Sequence, residues 1–211
     1  MYLHKYKDYE EYKSIQIKGN KAKLSYSWVD LSNLYKIAEY VLETNPEASF
    51  GLCHGTRRGL EQERIKEEFL NRGKDITVTG TEISDTAQQF KNTIQWDFHE
   101  VDPEWLGNVD FIYSNSLDHS YDPELCLDRW MSCINERGVC VLEWSGQHGK
   151  RTNGDTEELV GRTMPFTHRQ LDPFVADIDE YKNLIKKKYD IVNIIENPKS
   201  TAFKSRYIFV K

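Results

Sequence analysis

Short apolar runs alternate with stretches of helical spacing along this chain, and the alternation predicts strands and helices in turn. The apolar runs predict strands over residues 50–53, 76–83, 93–97, 109–114, 139–144, 191–195 and 207–210. The intervening patterns predict helices over residues 31–44, 60–70, 84–90 and 123–136, and a last helix through Leu184 that ends at residues 186–188. Strands that alternate with helices are typical of an α/β domain with a parallel sheet.

Capping signals and apolar spacing define two of these helices in more detail. Asp122 and Pro123 open the helix that precedes the fifth strand, and residues 137–138 end it. The side chains that we expect to face the core from this helix are Leu127, Trp130, Met131 and Ile134. The corresponding face of the helix over residues 60–70 consists of Leu60, Ile65, Phe69 and Leu70. Each helix therefore has one apolar stripe to bury against a sheet.

Residues 1–30 precede this pattern and form an N-terminal extension to a single domain of residues 31–211. Tyrosines recur in the extension every three to four residues, which suits an amphipathic helix that rests on the domain. They are Tyr2, Tyr6, Tyr9 and Tyr12. Residues 18–21 are expected to form a turn. We expect the extension to pack on the domain or to act as a lid, without a part in the chemistry.

The stretch of residues 48–59 reads ASFGLCHGTRRG and places Gly55 and Gly59 in the turn after the first strand. A turn without side-chain bulk lets a ligand approach the backbone, and the following helix N-terminus offers unpaired N–H groups. The second strand ends in Glu82, and a carboxylate there can accept hydrogen bonds from both hydroxyls of a ribose. One helix separates the turn from the acid, as a βαβ unit requires. The pair predicts an adenosine-type ligand at the carboxyl ends of the first two strands.

Further candidate residues follow the third and fourth strands. Trp96 and Asp97 end the third strand. The aromatic face of Trp96 can stack on a purine, although core packing is an equal alternative for this residue. The carboxylate of Asp97 can accept a hydrogen bond from the amine of the purine. His119 is the first candidate for a general base, because it follows the fourth strand at the expected crevice. His148, in the irregular stretch of residues 145–172, is the second, and a loop-fixing role for His119 stays open. That stretch is long for a connection, so we expect it to build the acceptor side of the site.

Composition excludes several classes of partner. The 211 residues include 28 basic and 34 acidic side chains, and the net charge of −6 gives no attraction to nucleic acid or to an anionic membrane. The N-terminus is too polar for a signal peptide and no run has the length of a membrane span, so we expect a cytoplasmic protein. The four cysteines form no C-x-x-C pair, and we expect buried thiols and no metal site. The oligomeric state is not indicated.

These segments together resemble the class I S-adenosylmethionine-dependent methyltransferases over roughly residues 31–211. The resemblance rests on FGLCHGTRRG at the glycine turn, GTEIS at the second strand end, QWDF at the third and VDFIYSNSLDHSYDP at the fourth. It implies a three-layer Rossmann-like sandwich, whose mostly parallel seven-stranded sheet has an antiparallel last strand. It also implies S-adenosylmethionine as the methyl donor and S-adenosylhomocysteine as the product.

The resemblance implies a role for each matching segment. Residues 53–57 would hold the methionine part of the donor, and Glu82 would bind the ribose. Ile83 would cover one face of the adenine, residues 97–98 would meet its edge, and residues 115–116 would close the pocket beneath the sulfonium. The cofactor-binding residues implied in full are Cys53, His54, Gly55, Thr56, Arg57, Glu82, Ile83, Ser84, Trp96, Asp97, Phe98, Asn115, Ser116 and Leu117.

The sequence departs from the family pattern at two motifs. Gly51 stands where an acidic residue is usual, Cys53 replaces the middle glycine of the turn, and Arg57 falls where a further glycine is common. The D/N-P-P-Y/F signature of many base and glutamine methyltransferases is absent, with SNSLDH in its place. This absence disfavours amino-group methylation of DNA or protein.

Three functions stay open from the sequence. The first is methyl transfer to an oxygen or nitrogen of a small-molecule acceptor, such as a sugar, a lipid or another metabolite. The second, a NAD-dependent oxidoreductase, is disfavoured, because Gly51, Gly55 and Gly59 are four residues apart and do not give the G-x-G-x-x-G spacing. The third is a catalytically silent module that binds a nucleoside. Such a module would keep Glu82 and Asp97 and differ only in activity.

Overall fold

The computed structural model of the protein describes residues 1–146, 158–159, 162–163, 166–198 and 205–211. Its α-helices are α1 (Tyr9–Ala22), α2 (Tyr35–Thr44), α3 (Leu60–Asn71), α4 (Pro123–Cys133), α5 (His168–Leu171) and α6 (Ile178–Lys186). Its strands are β1 (Tyr2–Leu3), β2 (Phe50–His54), β3 (Thr77–Glu82), β4 (Thr93–Gln95), β5 (Val109–Ser114), β6 (Ile134–Ser145), β7 (Glu158–Leu159), β8 (Arg162–Thr163), β9 (Phe174–Val175), β10 (Ile191–Glu196) and β11 (Ser205–Val210). Short 3-10 helices occupy Leu31–Asn33, Asp85–Gln89, Pro103–Trp105 and Leu117–His119.

Seven strands form the central sheet, in the order β10-β11-β6-β5-β2-β3-β4. The strands from β6 to β4 pair in parallel, whereas β11 is antiparallel to both of its neighbours. The expected fold class, a mostly parallel seven-stranded sheet with an antiparallel last strand, is therefore confirmed. Strand order reverses between β2 and β5, and the carboxyl ends of strands at such a point border a crevice.

Helices cover both faces of the sheet and bury two apolar clusters. One cluster joins α2 and α3 to Phe111 and Tyr113 of β5, and the other joins α4 and α6 to Ile112 of the same strand. Alternate residues of β5 thus serve opposite faces, as strand geometry requires. The carboxyl ends of the strands are left between these layers, where the polar residues collect.

Gly51 has a packing reason to depart from the usual acidic residue. A Cβ atom at this position would lie 2.1 Å from Cε1 of Phe111. The ring of Phe111 is itself stacked on Phe69 of α3, with ring centroids 5.6 Å apart. No side chain fits between β2 and this aromatic pair, so a carboxylate has to come from another element.

The N-terminal extension packs on the domain through α1 and β1. β1 pairs antiparallel with β9, and Tyr12 of α1 is only 2% exposed. The turn expected at residues 18–21 is wrong, because these residues belong to α1. A Cβ atom at Gly19 would lie 2.1 Å from Cδ1 of Leu171, so the glycine serves close approach of α1 to α5 and not a turn.

Two other local expectations are corrected. The helix expected to reach residues 137–138 ends at Cys133, and β6 begins at once with Ile134, whose backbone is extended and pairs with Val109 of β5. A β-branched side chain suits a strand better than a helix end. Leu70, expected on the buried face of α3, is 60% exposed. None of the helices in the described part of the chain is long and apolar enough to cross a membrane.

Candidate functional site

A tight bend follows β2 at the carboxyl edge of the sheet. Gly55, Arg57 and Gly59 all have positive φ, of 74°, 47° and 71°. Glycine adopts this conformation without steric strain, so two of the three positions suit the bend. The N–H groups of Gly55 and Thr56 donate to the carbonyl oxygen of Thr81 in β3, at 2.9 and 3.1 Å. The bend is thereby held against the neighbouring strand.

Glu82, at the end of β3, lies beside this bend. Its Oε2 accepts a hydrogen bond from the N–H of Arg57 at 3.1 Å, and its Oε1 accepts from the N–H of Ser84 at 3.1 Å. Burial raises the pKa of Glu82, although these hydrogen bonds and the charge of Arg57 favour the ionised form. A carboxylate and a bare backbone bend therefore meet at one place.

Two neighbouring cavities open at this edge of the sheet. The β3 cavity, bordered by Glu82, Ile83, Asp97 and Phe98, has a volume of about 50 Å³. The β6 cavity, bordered by Glu61 and Glu143, has a volume of about 290 Å³. Both are lined by Lys23, Gly55, Arg57, Ser116 and His119. Ligand pockets commonly measure roughly 300–1,000 Å³, so the β6 cavity suits a small ligand and the β3 cavity is narrow.

Helix α1 lies across the β3 cavity and narrows it. The lining residues that come from α1, the residue after it and α5 are Tyr12, Gln16, Gly19, Asn20, Lys23 and Leu171. The hydroxyl of Tyr9 donates to Oδ2 of Asp97 at 2.7 Å, and Oγ1 of Thr86 donates to Oδ1 of Asn20 at 2.9 Å. The side chain of Asn20 also forms a hydrogen bond with Glu82. The N-terminal extension thus covers the carboxylates of both Glu82 and Asp97.

Asp97 is engaged on its other oxygen by His99. Oδ1 of Asp97 accepts from the N–H of His99 at 3.0 Å and from its Nδ1 at 2.7 Å, and Nε2 of His99 lies 2.8 Å from Oγ of Ser120. Burial alone would raise the pKa of Asp97, but the hydrogen bond and charge of His99 outweigh it and lower the pKa. Asp, His and Ser in this order resemble a nucleophilic triad. Ser120 is 0% exposed, however, so a substrate does not reach its hydroxyl. These three hydrogen-bonded side chains therefore link the segment after β4 to the segment before α4.

His119 lines both cavities and has the tautomer of a general base. Its Nδ1 lies 2.9 Å from the carbonyl oxygen of Leu171 and 3.0 Å from Oε1 of Gln16. A carbonyl oxygen only accepts hydrogen bonds, so Nδ1 carries the proton and Nε2 is the nitrogen that can accept one. Oδ1 of Asp172 lies 3.5 Å from Nδ1 and would stabilise the charged ring.

The β6 cavity is lined by two buried carboxylates. Glu61, in the first turn of α3, is 8% exposed, and Glu143 of β6 is 6% exposed. The hydroxyl of Tyr113 donates to Oε2 of Glu143 at 2.6 Å, whereas Oε2 of Glu61 has no hydrogen-bond partner in the described part of the chain. Burial, with a smaller contribution from the charge of Glu143, raises the pKa of Glu61 to about 7. Burial also raises the pKa of Glu143.

A further polar group at the β6 cavity combines Asp118, His119 and Asp172. One potential ligand atom from each lies within 4.8 Å of the others. Carboxylate and imidazole are ligands that divalent cations accept, so this geometry is compatible with one ion. Because Nδ1 of His119 donates to Leu171, only Nε2 has a lone pair for such an ion.

Most of the residues singled out from the sequence line one of the two cavities. They are Gly55, Thr56, Arg57, Glu82, Ile83, Asp97, Phe98, Asn115, Ser116 and His119. The fold therefore brings together segments between Gly55 and His119 that α3, β3, β4 and β5 separate in the chain. Their assigned roles in binding or catalysis stay predictions.

Five other predicted side chains lie away from both cavities, and one is not described. The five are Cys53, His54, Ser84, Trp96 and Leu117. His54 stacks on Trp130 with ring centroids 5.0 Å apart, and burial lowers its pKa to about 3. Trp96 packs against Trp105 at 5.2 Å, as its core-packing alternative requires. His148 lies outside the described residues.

Several lining residues were not predicted, although the sequence carries a signal for them. Glu61 is four residues before Ile65 and eight before Phe69, so it occupies the apolar face of α3. Glu143 interrupts a strand whose neighbours are buried. An acid at an apolar position is an indication of a site, because charged residues are rarely buried without a partner. A turn was expected at residues 18–21, in the last part of α1, and the extension was expected to have no part in the chemistry, so the lining residues of α1 were not predicted.

Comparison with known proteins supports the architecture. No protein-family model matches the sequence, and no curated protein matches it. Among solved structures, the chain is similar to the sugar N-methyltransferase KedS8 from Streptoalloteichus, with 13% identity, a TM-score of 0.57, and coverage of 85% of this chain and 87% of that one. It is also similar to the glycopeptide N-methyltransferase MtfA in complex with S-adenosylmethionine, with 14% identity, a TM-score of 0.52, and coverage of 87% and 94%.

A third similar structure is the CMeT domain of the citrinin polyketide synthase, with 15% identity and a TM-score of 0.56. The match covers 83% of this chain and about half, 51%, of that one. Identities this low relate folds and not activities. The resemblance noted in the sequence is thereby confirmed at the level of architecture, and this protein has the fold of the class I S-adenosylmethionine-dependent methyltransferases.

Proposed function

We propose that this protein transfers the methyl group of S-adenosylmethionine to an oxygen or nitrogen atom of a small-molecule acceptor. One observation carries the proposal: the carboxylate of Glu82 accepts from the N–H of Arg57 at 3.1 Å, and both residues line the β3 cavity. A carboxylate at the end of a parallel strand suits the two hydroxyls of a ribose, and the glycine bend lets the ligand approach the backbone beside it. Among nucleoside ligands, the methyltransferase-like fold favours S-adenosylmethionine.

The chemistry of the lining fits the two halves of this donor. Ile83 and Phe98 offer apolar surface to an adenine ring beside Glu82, and Arg57 offers positive charge to the carboxylate of the methionine. The volume of the β3 cavity, about 50 Å³, is small for a nucleoside. Donor binding therefore requires side chains of α1 to move aside and then to cover the ligand.

When bound, S-adenosylmethionine supplies a methyl carbon that is already activated for displacement. The chain contributes alignment and a site closed to water, which are the main requirements of such a transfer. Ser116 lines both cavities and so marks the border at which donor and acceptor would meet.

His119 is the residue proposed to accept a proton from a hydroxyl acceptor. Its Nδ1 donates to the carbonyl oxygen of Leu171 at 2.9 Å, so Nε2 carries the lone pair, and Asp172 lies close enough to stabilise the imidazolium that forms. A hydroxyl nucleophile needs such a base, because it attacks poorly while it keeps its proton. Proton removal by a positioned base contributes roughly 10²–10⁴-fold to rate.

Calorimetric titration tests the donor site directly. We expect S-adenosylhomocysteine to bind to the protein and NAD not to bind. Glu82→Ala removes a charged hydrogen-bond acceptor, which is worth about 1.5–3 kcal/mol, so the affinity should fall by roughly tenfold or more. Glu67→Ala, at an exposed position on α3, is the matched control and should bind as the parent does. A parent that prefers NAD, or a Glu82→Ala variant that binds as tightly as the parent, contradicts the proposal.

Activity separates an enzyme from a silent binding module. Release of S-adenosylhomocysteine is measured in the presence of S-adenosylmethionine and a panel of small hydroxyl and amino compounds. With a hydroxyl compound that gives turnover, His119→Ala should lower kcat by roughly 10²–10⁴-fold and change donor affinity little. A protein that binds the donor and shows no release with any compound would favour the silent module.

A further inference from the structure

The β6 cavity extends well beyond the place assigned to the donor. It is lined by the bend after β2, by Asn115 after β5, by Glu143 of β6 and by Ser205 of β11. Adjacent strands lie about 4.8 Å apart, so these positions span about three strand spacings, roughly 14 Å. Glu82 lies on the opposite side of β2, at the end of β3. The part of the cavity over β6 and β11 is therefore the space for a second ligand.

Polar atoms without partners line this cavity. Glu61 is 8% exposed and Thr56 is 3% exposed, and both border the cavity. Oε2 of Glu61 and Oγ1 of Thr56 have no hydrogen-bond partner in the described part of the chain. Buried polar atoms are nearly always hydrogen-bonded, because an unmade bond costs about 1–3 kcal/mol and more for a charged group. A ligand that donates hydrogen bonds would satisfy both atoms.

The positive charges that act on Glu61, those of Arg57 and Arg58, do not form hydrogen bonds with it, and Nε of Arg58 itself lacks a hydrogen-bond partner in the described part of the chain. Arg57 directs its guanidinium to the carbonyl oxygen of Tyr26 at 3.1 Å and its backbone N–H to Glu82. Glu143 adds a second buried negative group that raises the pKa of Glu61 further. A cationic donor would supply the hydrogen bond that Glu61 lacks and would offset the negative charge of the two acids.

Aromatic side chains form another wall of the same cavity. Tyr26 and Trp28 are stacked, with ring centroids 6.5 Å apart and an interplanar angle of 20°, and Trp28 is 48% exposed. A cation near the face of such rings gains about 0.5–2 kcal/mol. Carboxylates and aromatic rings that border one cavity are surroundings that suit an organic ammonium group.

On the basis of the proposed methyl transfer, we propose that the acceptor is an organic amine, which enters the β6 cavity as an ammonium ion and is bound there by Glu61. The ammonium proton passes to the carboxylate of Glu61, and this converts a buried ion pair into a neutral acid and a neutral amine. The amine nitrogen then forms a bond to the methyl carbon as the carbon–sulfur bond of the donor breaks, and the electron pair of that bond stays on sulfur. The product leaves as a methylated ammonium ion, and Glu61 then releases the proton that it took up to water, which restores the carboxylate.

Matched pairs of amine and alcohol test the proposal. Phenethylamine is compared with 2-phenylethanol, cyclohexylamine with cyclohexanol, and glucosamine with glucose, by ligand-observed NMR titration of the protein saturated with S-adenosylhomocysteine. We expect at least one amine to bind the parent tenfold or more tightly than its alcohol. Glu61→Gln should abolish this preference and leave the affinity for the alcohol within twofold. Glu67→Gln, the exposed control on the same helix, should behave as the parent. For an amine that is methylated, Glu61→Gln should raise KM tenfold or more.

Three outcomes overturn the proposal. The first is a parent that binds no amine more tightly than the matched alcohol. The second is a Glu61→Gln variant that keeps the preference of the parent. The third is a Glu61→Gln variant that loses affinity for S-adenosylhomocysteine and not for methylthioadenosine, which lacks the amino-acid end, because Glu61 would then bind the ammonium group of the donor. Failure of the donor proposal is a separate result: the parent does not bind S-adenosylhomocysteine, and the same titrations without it still report on the amine site.

Discussion

Replacement of Glu61 by glutamine should stabilise the protein at pH 8. Burial raises the pKa of Glu61 from 4.5 to about 7, and each pKa unit corresponds to about 1.36 kcal/mol. Between these two values the folded protein binds more protons than the unfolded chain, so the free energy of unfolding falls as the pH rises through this window. Above pH 7 the folded parent keeps a buried carboxylate that costs about 3 kcal/mol, and the variant does not. Below pH 4.5 the carboxyl group is neutral in both states, and the effect disappears.

The assay is urea unfolding of parent and variant at pH 5 and pH 8, followed by tryptophan fluorescence. The difference between the two proteins removes the contribution of other groups, such as Asp97 and Asp110, whose lowered pKa values give the opposite pH dependence. We expect the advantage of Glu61→Gln to be small at pH 5 and to approach about 3 kcal/mol at pH 8. Glu67→Gln should show no such trend, because Glu67 is exposed. An advantage that is equal at the two pH values would refute the reasoning from burial.

Two further predictions concern the elements around the site. Tyr9→Phe removes the hydrogen bond to Asp97 at 2.7 Å, so hydrogen exchange of the α1 amides should accelerate by roughly tenfold. S-adenosylhomocysteine should bind no more weakly than to the parent. Unchanged exchange would mean that this contact does not hold α1 on the domain. Gly51→Ala places a Cβ 2.1 Å from the ring of Phe111 and should lower the free energy of unfolding by roughly 1–3 kcal/mol in urea; an unchanged value would contradict the close approach of β2 to Phe111.

The architecture was predictable because its signals are local. β5, β6 and β11 of the main sheet contain short apolar runs, and the turn between β2 and α3 carries its own glycines. The errors occur where distant contacts decide the local structure. The pairing of Ile134 with Val109 turns the expected helix end into the first residue of β6. The contact of Gly19 with Leu171 makes a residue typical of turns an interior residue of α1.

The site was predictable to the extent that backbone geometry defines it. Glu82 ends a strand beside the bend, and sequence order alone places those two features together once the strands are parallel. Glu61 lies on α3 and Glu143 on β6, and only the folded domain brings them to one cavity. The buried state of Glu61 is also the stronger argument for a ligand. Oε2 of this buried carboxylate lacks a hydrogen-bond partner among the described residues, and burial raises the pKa of the group, so a cationic ligand would supply both the missing bond and a compensating charge.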